Sequence, residues 1–434
     1  MRDLLRRGRA MDWDLATDAL PEEVMSLFHR KRPGCFVIPT GIKHGTVTVH
    51  YNGLKMEVTT FRSESGYSDS RHPDAVEFGR SIEEDLSRRD FTMNAAAYAL
   101  PSGPLVDPFD GQGDIKKRLI RAVGRAEERF QEDGLRPLRA LRFASQLDFT
   151  LDGELLAAIP GAIPFTSKVA VERVRDELDK MLATEKPSSA LLLMEKTGLM
   201  QLLIPELAAC RGAGKDGLTH FGFHRFDVLD HSLLACDFAA HEHAPPEVRL
   251  AALFHDIGKP ATAQRDKFGI LGFYRHERES ASLARNIMLR FRYPNTAIDR
   301  VCHLIAEHMF NYASGWTDAA VRRFIIRIGH ENLSDLFALR RSDAFAMAGE
   351  EPPRDLLLPL VDRIQKTLSA DDALSLKDLA VSGTDLIAVG IPPGKTMGII
   401  LNELFEAVIE DPGLNTKEKL LEIADKLNHK LAQG

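Results

Sequence analysis

Apolar and polar positions alternate with a short period in the first part of the chain. Three runs rich in β-branched residues, CFVIPT (35–40), GTVTVHY (45–51) and KMEVTTF (55–61), are separated by Gly, Asn and Pro, and they predict three short strands. The segment LPEEVMSLF (20–28) has apolar residues at helical spacing and predicts a helix. The first hundred residues are therefore expected to mix α and β structure.

The pattern changes after about residue 105. Leucines and alanines recur at helical spacing through 125–148, 168–183 and 188–203, and strand signals disappear. Segments rich in Gly and Pro at 210–217, 349–355 and 389–395 are candidate joints. The expected fold class is α+β, with a small mixed sheet first and residues 106–434 almost all helical.

Composition narrows the class of protein. A chain of 434 residues with 44% apolar content is expected to form two to four domains. No apolar run approaches the length of a membrane span, and no signal peptide precedes the first motif, so we expect no membrane partner. The four cysteines lie far apart and are expected to be free thiols in the cytoplasm. The net charge of −7 means that any polyanion must meet a local basic patch.

Two acids one residue apart, Asp12 and Asp14, stand near the start of the chain. On a strand they would point to the same face, and paired carboxylates are natural ligands for the two Mg²⁺ ions of a phosphoryl-transfer site. Glu57, on a predicted neighbouring strand, is a candidate third acid. Without further context, a pair of solvated surface acids explains Asp12 and Asp14 equally well.

The string SRRDFTMNAAAYAL (87–100) supplies that context. With the segments 107–149, 169–178 and 191–207, it resembles the class II tRNA nucleotidyltransferase/poly(A) polymerase family. The resemblance implies a polymerase-β-like head at 1–105, a helical neck at 106–210, a further domain at 211–348 and a helical tail at 349–434. It also implies that Asp12 and Asp14 bind Mg²⁺ and act with Glu57 in catalysis. The residues it implies for nucleotide binding are Arg2, Asp3, Arg88, Asp90, Asn94, Asp133, Arg136, Arg139 and Arg142.

Base choice is expected to rest on Asp133 and Arg136. These residues are three apart, and on a helix they would share one face. C and A each present an exocyclic amine beside a ring-nitrogen acceptor, so an accepting Asp and a donating Arg suit them and reject U and G. The family uses its Glu-Asp-x-x-Arg motif in this way. A surface salt bridge between the two residues is the structural alternative, and Pro137 is expected to kink the helix.

Nine lysines or arginines against four acids give residues 115–142 a local charge of +5, which is expected to meet nucleotide phosphates and a tRNA 3′ end. The polar segment 62–85 corresponds to a family loop needed to switch from C to A addition, with Arg71 as a candidate lever. Family members also carry an opening strand and a glycine turn before the segment that here begins the chain. A misassigned start codon or a truncation would explain the difference, and either predicts weak triphosphate binding.

The segment ALFHDIGKP (252–260) contains the dipeptide His255-Asp256, and His231, His276, His308 and Asp343 lie on other predicted helices. Imidazole and carboxylate groups from separate helices can hold a divalent metal. The pattern resembles the HD phosphohydrolase superfamily, which implies that His231, His255, Asp256 and Asp343 bind Mg²⁺, Mn²⁺ or Ni²⁺ and hydrolyse phosphoesters such as 2′,3′-cyclic phosphates. The structural alternative is a metal-free helical body that binds RNA or mediates dimerisation.

Together the resemblances imply an enzyme that adds C, C and A to tRNA 3′ ends from CTP and ATP without a nucleic-acid template. A poly(A) polymerase, or an enzyme that adds only A or only C, shares the head motifs. From a different class, the chain could be an RNA-binding phosphohydrolase with an inert head. The sequence does not distinguish these alternatives, and it does not give the oligomeric state.

Overall fold

A computed structural model describes residues 1–6, 14–31, 35–42, 45–65, 75–79, 81–101, 103–213, 227–353, 355–370 and 374–432. The chain divides into two compact units. The first comprises residues 1–213 and 286–294, and the second comprises residues 214–285 and 295–434. The finer division into head, neck, HD domain and tail stays a prediction.

The first unit opens with a four-stranded sheet in the order β1-β4-β3-β2. Its elements are α1 (Arg2–Leu5), β1 (Asp14–Thr17), α2 (Pro21–Lys31), β2 (Cys35–Gly41), β3 (Thr46–Tyr51) and β4 (Leu54–Thr60). Strand β4 pairs antiparallel with β3 and parallel with β1. Val47 and Val49 of the central strand β3 are fully buried, and they pack with Val24 of α2. The helix and the three strands predicted from residues 20–61 are confirmed.

The rest of the first unit is mainly helical. After β5 (Arg62–Ser65) and β6 (Ala75–Phe78) come α3 (Ile82–Ser87), β7 (Ala97–Tyr98), β8 (Leu105–Val106), α4 (Gly111–Lys117), β9 (Leu119–Ile120), α5 (Ala126–Glu132), α6 (Arg136–Leu147), β10 (Thr150–Leu151), α7 (Gly153–Ala158), α8 (Ile163–Thr166), α9 (Val171–Leu182), α10 (Pro187–Lys196), α11 (Leu199–Leu203) and α12 (Pro205–Ala208). Helix α6 packs against α9 and α10. Buried leucines and methionines of α6, α9 and α10, such as Leu141, Met181 and Met194, form this core.

The second unit is a helical assembly with one short hairpin. It comprises α13 (Val228–His241), α14 (Pro246–Phe254), α15 (Lys259–Thr262), β11 (Ala263–Arg265), β12 (Leu271–Phe273), α16 (His276–Arg290), α17 (Asn295–Glu307), α18 (Asp318–Ile328), α19 (Leu333–Ala348), α20 (Leu358–Ser369), α21 (Gly383–Ala388), α22 (Lys395–Glu410) and α23 (Lys417–Ala432). Helix α13 packs on α14 and α19, and α14 packs on α17. The last residues of α16 belong to the first unit.

The α+β class is confirmed, but two expectations about the strands need correction. Beyond residue 106 the chain also forms two small ladders, β9 with β10 and β11 with β12, whose strands of two or three residues are too short to show a period. Within 62–85, described residues of the expected loop form the antiparallel pair β5–β6 and helix α3, while Arg71 lies outside the described residues.

The described helices include none that is both long enough and apolar enough to span a membrane. All four cysteines are free thiols, as expected, and three of them are buried.

Candidate functional site

Two of the three predicted catalytic acids lie side by side at the sheet. Asp14 is the first residue of β1, and its Cα partner across the parallel ladder is Glu57 of β4. Residues paired across neighbouring strands point to the same face of a sheet. Both acids are exposed, whereas the next residue, Val58, points into the core. Asp12 lies outside the described residues. The geometry therefore brings Asp14 and Glu57 onto one open face.

The Arg-Arg-Asp motif forms an internal network. Arg88 donates to Asp85 through Nη2 at 2.6 Å. Asp90 is buried, and it accepts from Asn94 Nδ2 at 3.0 Å and from Arg139 Nε and Nη2 at 2.9 and 2.7 Å. Burial alone would raise the pKa of Asp90, but the charge of Arg139 and the amide of Asn94 outweigh it, so the pKa lies below its usual value. Asp90 is therefore ionised and held in place.

Three guanidinium groups surround the ring of Phe143 on α6. Those of Arg2, Arg139 and Arg142 lie 4.9, 5.5 and 3.8 Å from the ring centroid. Arg2 also donates to Asn94 Oδ1 at 3.1 Å and to its neighbour Asp3 at 3.0 Å. The positive charge of this group, the arginine cluster, suits phosphate oxygens.

Asp133 and Arg136 do not share a helix, so the structural premise of their pairing is wrong. Helix α5 ends at Glu132, Asp133 has an extended backbone (φ −140°, ψ 107°), and α6 begins at Arg136. Pro137 lies in the first turn of α6, where its ring is tolerated, so it starts a helix and does not kink one. The two side chains lie at a break between helices.

Each of the two residues has its own partner. Asp133 accepts from Arg173 Nη1 and Nη2 at 3.2 and 2.8 Å. Arg136 donates to Glu132 at 2.5 Å and to the carbonyl of Arg88 at 3.0 Å. The alternative of a direct Asp133–Arg136 salt bridge is therefore not what this geometry shows.

In the second unit, the four predicted metal ligands converge, and we call them with His276 and His308 the imidazole–carboxylate cluster. His231 Nε2 lies 3.1 Å from His255 Nε2, 3.4 Å from Asp256 Oδ2 and 3.2 Å from Asp343 Oδ1. His255 Nε2 lies 3.5 Å from Asp256 Oδ2 and 3.6 Å from Asp343 Oδ1. All of these residues are buried. His231, His255 and Asp256 could hold a metal ion, and Asp256, His276 and His308 form a second such group.

Backbone carbonyls orient three of these imidazoles. His255, His276 and His308 each place Nδ1 2.7–2.9 Å from the carbonyl oxygen three residues earlier in the chain. A carbonyl only accepts, so each Nδ1 carries the proton and donates. The other nitrogen, Nε2, is then left facing the cluster, which is how metal-binding histidines are commonly held.

The buried charges are balanced within the second unit. Burial by itself would raise the pKa of Asp256 and Asp343. Lys259, 2.5 Å from Asp256 Oδ2, and the neighbouring histidines outweigh burial, so the pKa of both carboxyl groups lies well below the usual value. Burial also lowers the pKa of His308 to about 3 and leaves this imidazole neutral. At His255 the carboxylates of Asp256 and Asp343 outweigh burial and raise the pKa.

Comparison with known proteins follows this geometry. Residues 1–121 match the family described as "Poly A polymerase head domain", residues 148–211 match the "Probable RNA and SrmB- binding site of polymerase A", and residues 277–424 match a tRNA nucleotidyltransferase domain 2. The CCA-adding enzyme of Lactobacillus johnsonii is 35% identical over 432 residues, which cover 99% of this chain and 92% of that protein. The chain belongs to the CCA-adding enzyme family.

Two further similarities have the same extent. The CCA-adding enzyme of Levilactobacillus brevis is 33% identical over 97% of this chain and 90% of its own length. A crystal structure of the Bacillus stearothermophilus CCA-adding enzyme in complex with CTP aligns with a TM-score of 0.71 and 31% identity, covering all of this chain and 92% of the other. Membership of the CCA-adding enzyme family makes this chain a nucleotidyltransferase, and it confirms the family predicted from the Arg-Arg-Asp motif.

Sequence reasoning did not single out two residues that hold the predicted nucleotide-binding side chains. Arg173 pairs with Asp133, and Glu177 accepts from Arg142 Nε at 2.5 Å. Both lie on α9, four residues apart and therefore on one face of that helix. A buried glutamate one helical turn from an arginine was the available signal.

Proposed function

We propose that this chain adds C, C and A to the 3′ ends of tRNA from CTP and ATP, with Asp12, Asp14 and Glu57 as the catalytic acids. The observation that carries the proposal is the pairing of Asp14 with Glu57 on one exposed face of the head sheet. The family relationship supports it, and so does the relative whose structure holds CTP. The free thiols fit a cytoplasmic location, where tRNA is also found.

The donor set at the sheet fits Mg²⁺, because exposed carboxylate oxygens are the ligands that this cation prefers. Asp12 and Asp14 would hold it, with Glu57 beside them. When bound, Mg²⁺ polarises the phosphoryl group and activates the attacking oxygen. The protein groups fix the positions of the reactants: the carboxylates of Asp14 and Glu57 are set by neighbouring strands and need no rearrangement.

The nucleotide would be bound by groups that the first unit already holds in position. The arginine cluster of Arg2, Arg139 and Arg142 supplies donors for phosphate oxygens. Asp90 keeps the Arg139 guanidinium oriented, and Arg88 and Asn94 lie in the same network as possible sugar or phosphate contacts. Asp3, bonded to Arg2, keeps its proposed place in this set.

We assign base choice to Asp133 and Arg136, although they lie at a helix break. Asp133 would accept the exocyclic amine of C or A, and Arg136 would donate to the adjacent ring nitrogen. Arg173 and Glu132 hold the two side chains before a base arrives. U and G would present acceptor to Asp133 and donor to Arg136, which leaves buried polar groups unpaired.

The test is addition to a tRNA transcript that ends at the discriminator base, with CTP and ATP supplied separately and together. We expect two C residues with CTP alone and a complete CCA end with both. Long A tails from ATP alone would identify a poly(A) polymerase. Addition only to a transcript already ending in CC, or arrest after CC, would identify an A-adding or a CC-adding enzyme. No addition to any transcript would overturn the proposal.

A second activity is favoured by the convergence of His231, His255, Asp256 and Asp343. We propose that they bind a divalent metal such as Mg²⁺, Mn²⁺ or Ni²⁺ and hydrolyse phosphoesters, as in the HD superfamily. Mixed imidazole and carboxylate donors from separate helices fit such ions. The test is hydrolysis of a 2′,3′-cyclic nucleotide with each metal. An inactive protein with every metal would leave the second unit as a helical body without this activity.

A further inference from the structure

Asp256 has two faces in the imidazole–carboxylate cluster. Its Oδ2 atom faces His231 and His255, at 3.4 and 3.5 Å from their Nε2 atoms. Its Oδ1 atom faces the other way, at 3.2 Å from His276 Nε2 and 3.9 Å from His308 Nε2. One carboxylate therefore lies between two pairs of histidines.

The second pair is held as firmly as the first. His276 begins α16 and donates through Nδ1 to the carbonyl of Phe273, and His308 follows α17 and donates to the carbonyl of Ile305. A close approach of Gly258 helps to place α16, because a Cβ at this glycine would lie 2.6 Å from the backbone nitrogen of Ser280. The backbone nitrogen of Gly258 also donates to Ser280 Oγ at 2.9 Å.

His276 Nε2 is an orphaned buried atom. It has no hydrogen-bond partner in the structure, although Asp256 Oδ1 lies 3.2 Å away, because the geometry is not that of a hydrogen bond. With Nδ1 protonated, Nε2 presents a lone pair to a carboxylate oxygen that also carries lone pairs. Two acceptors in contact repel each other unless a cation or a proton lies between them.

We propose that Asp256 bridges two divalent cations. Oδ2 would bind the first cation with His231, His255 and Asp343, and Oδ1 would bind the second with His276 and His308. The inference rests on the proposed phosphohydrolase activity of this unit, and it gives that activity a binuclear centre. The substrate class is a phosphoester, because a pair of cations can bind both the attacking and the leaving oxygen of a phosphoryl group.

The hydrolysis balances with water alone. For a 2′,3′-cyclic phosphate, the water oxygen forms the new P–O bond, one ribose oxygen leaves the phosphorus, and that oxygen takes the proton that the water loses. The alternative to a second cation is a metal-free arrangement, in which protonated imidazoles and Lys259 neutralise Asp256 and Asp343.

The test is metal binding by the full chain with Mn²⁺ alone as the probe. We expect His276→Asn and His308→Asn each to bind one Mn²⁺ fewer per chain than the wild type after equilibrium dialysis. His303→Asn is the matched control, since His303 lies on α17 but bonds to the carbonyl of Ile328, outside the cluster. This control is expected to keep the wild-type number of ions.

Electron paramagnetic resonance gives an independent readout, because two Mn²⁺ ions that share one carboxylate couple magnetically. We expect a coupled signal in the wild type and in His303→Asn, and its loss in both variants of the second pair. Retained nucleotide addition shows that a variant is folded. If a variant unfolds, the wild-type spectrum alone decides, since an uncoupled signal at saturating Mn²⁺ overturns the proposal.

The outcomes separate the two proposals. A single uncoupled ion that is lost in His255→Asn but kept in His276→Asn would overturn the bridge and leave a one-metal phosphohydrolase. Equal binding by the wild type, His255→Asn and His276→Asn, without coupling, would overturn both.

Discussion

At the residue scale, exposure separates the acids that are proposed to act on substrate from those that hold the site together. Asp14 and Glu57 are exposed and lie in register at the sheet, so each carboxylate remains open to a cation. Asp90 is buried and bonded to Arg139 and Asn94. Replacement of the first kind should affect chemistry, and replacement of the second kind should also affect stability.

Asp14→Asn is expected to reduce nucleotide addition by at least about 100-fold, because removing a metal ligand should cost more than removing a group that merely orients one. The measurement is the initial rate of CMP incorporation into tRNA, together with a thermal melt. Asp18→Asn is the matched control, because Asp18 is exposed and lies just after β1. Near-normal addition by Asp14→Asn would refute the catalytic assignment.

Asp90→Asn is expected to destabilise the first unit by about 1–3 kcal/mol at pH 7, since Arg139 loses a charged partner. The folded pKa of Asp90 is lowered, so its contribution is present above the unfolded value of about 3.9 and is lost as pH falls through the folded pKa. The difference in free energy of unfolding between wild type and variant should therefore shrink in acid. Urea titrations at a series of pH values measure it, and a difference that is constant with pH would contradict the ion pair.

At the element scale, the break between α5 and α6 matters more than either helix. Asp133 lies in extended backbone between them, and Arg136 begins the second helix. The helix α9 supplies Arg173, which holds the Asp133 carboxylate through two N–H groups. Base choice is therefore expected to depend on three elements, and on α9 as much as on the motif itself.

Asp133→Ala or Arg136→Ala is expected to reduce the preference for CTP and ATP over UTP and GTP by about tenfold, because half of the hydrogen-bonding edge is lost. Arg173→Met should have the same kind of effect through Asp133. Arg175→Met is the matched control, since Arg175 lies on α9 but pairs with Asp176. Competition assays with mixed nucleotides measure the preference.

A uniform loss of rate with unchanged base preference would show that Asp133 and Arg136 support the fold only. An effect of Arg175→Met as large as that of Arg173→Met would show that α9 acts through its packing and not through Asp133.

The elements of the head could be predicted because β-branched runs such as TVTVHY have a clear period and end at Gly or Asn. The helix end at Glu132 could not, because residues 125–148 keep helical periodicity across the break. Pairings such as Asp133 with Arg173 join residues far apart in the sequence, and no local pattern specifies them. The same holds for the turn of Asp256 Oδ1 towards His276.

At the scale of the whole molecule, the two proposed chemistries belong to different units with different ligands. The carboxylates of the head lie on strands of the first unit, and the imidazole–carboxylate cluster lies on helices of the second. Each site is built from residues of its own unit. The two activities are therefore expected to separate genetically.

His255→Ala is expected to eliminate hydrolysis of a 2′,3′-cyclic nucleotide with Mg²⁺, Mn²⁺ or Ni²⁺, and Asp256→Ala should do the same, because each removes a proposed metal ligand. Addition of C and A to tRNA should persist. Both activities are measured on the same preparation, with His303→Asn as control. Loss of nucleotide addition in a folded His255→Ala protein would show that the two sites are coupled.

The joint between α5 and α6 also contains Gly134, whose position is set by contact with the backbone of another segment. A Cβ at residue 134 would lie 2.4 Å from the carbonyl oxygen of Phe165, and Thr166 Oγ1 donates to the carbonyl of Gly134 at 2.8 Å. Gly134→Ala must therefore displace the neighbours of Asp133 without altering a group that touches a nucleotide. The cost would appear as wrongly ended tRNAs before it appeared as a slower enzyme, which sequencing of the tRNA ends would reveal. The accuracy of the tRNA pool would then depend on a residue that has no side chain.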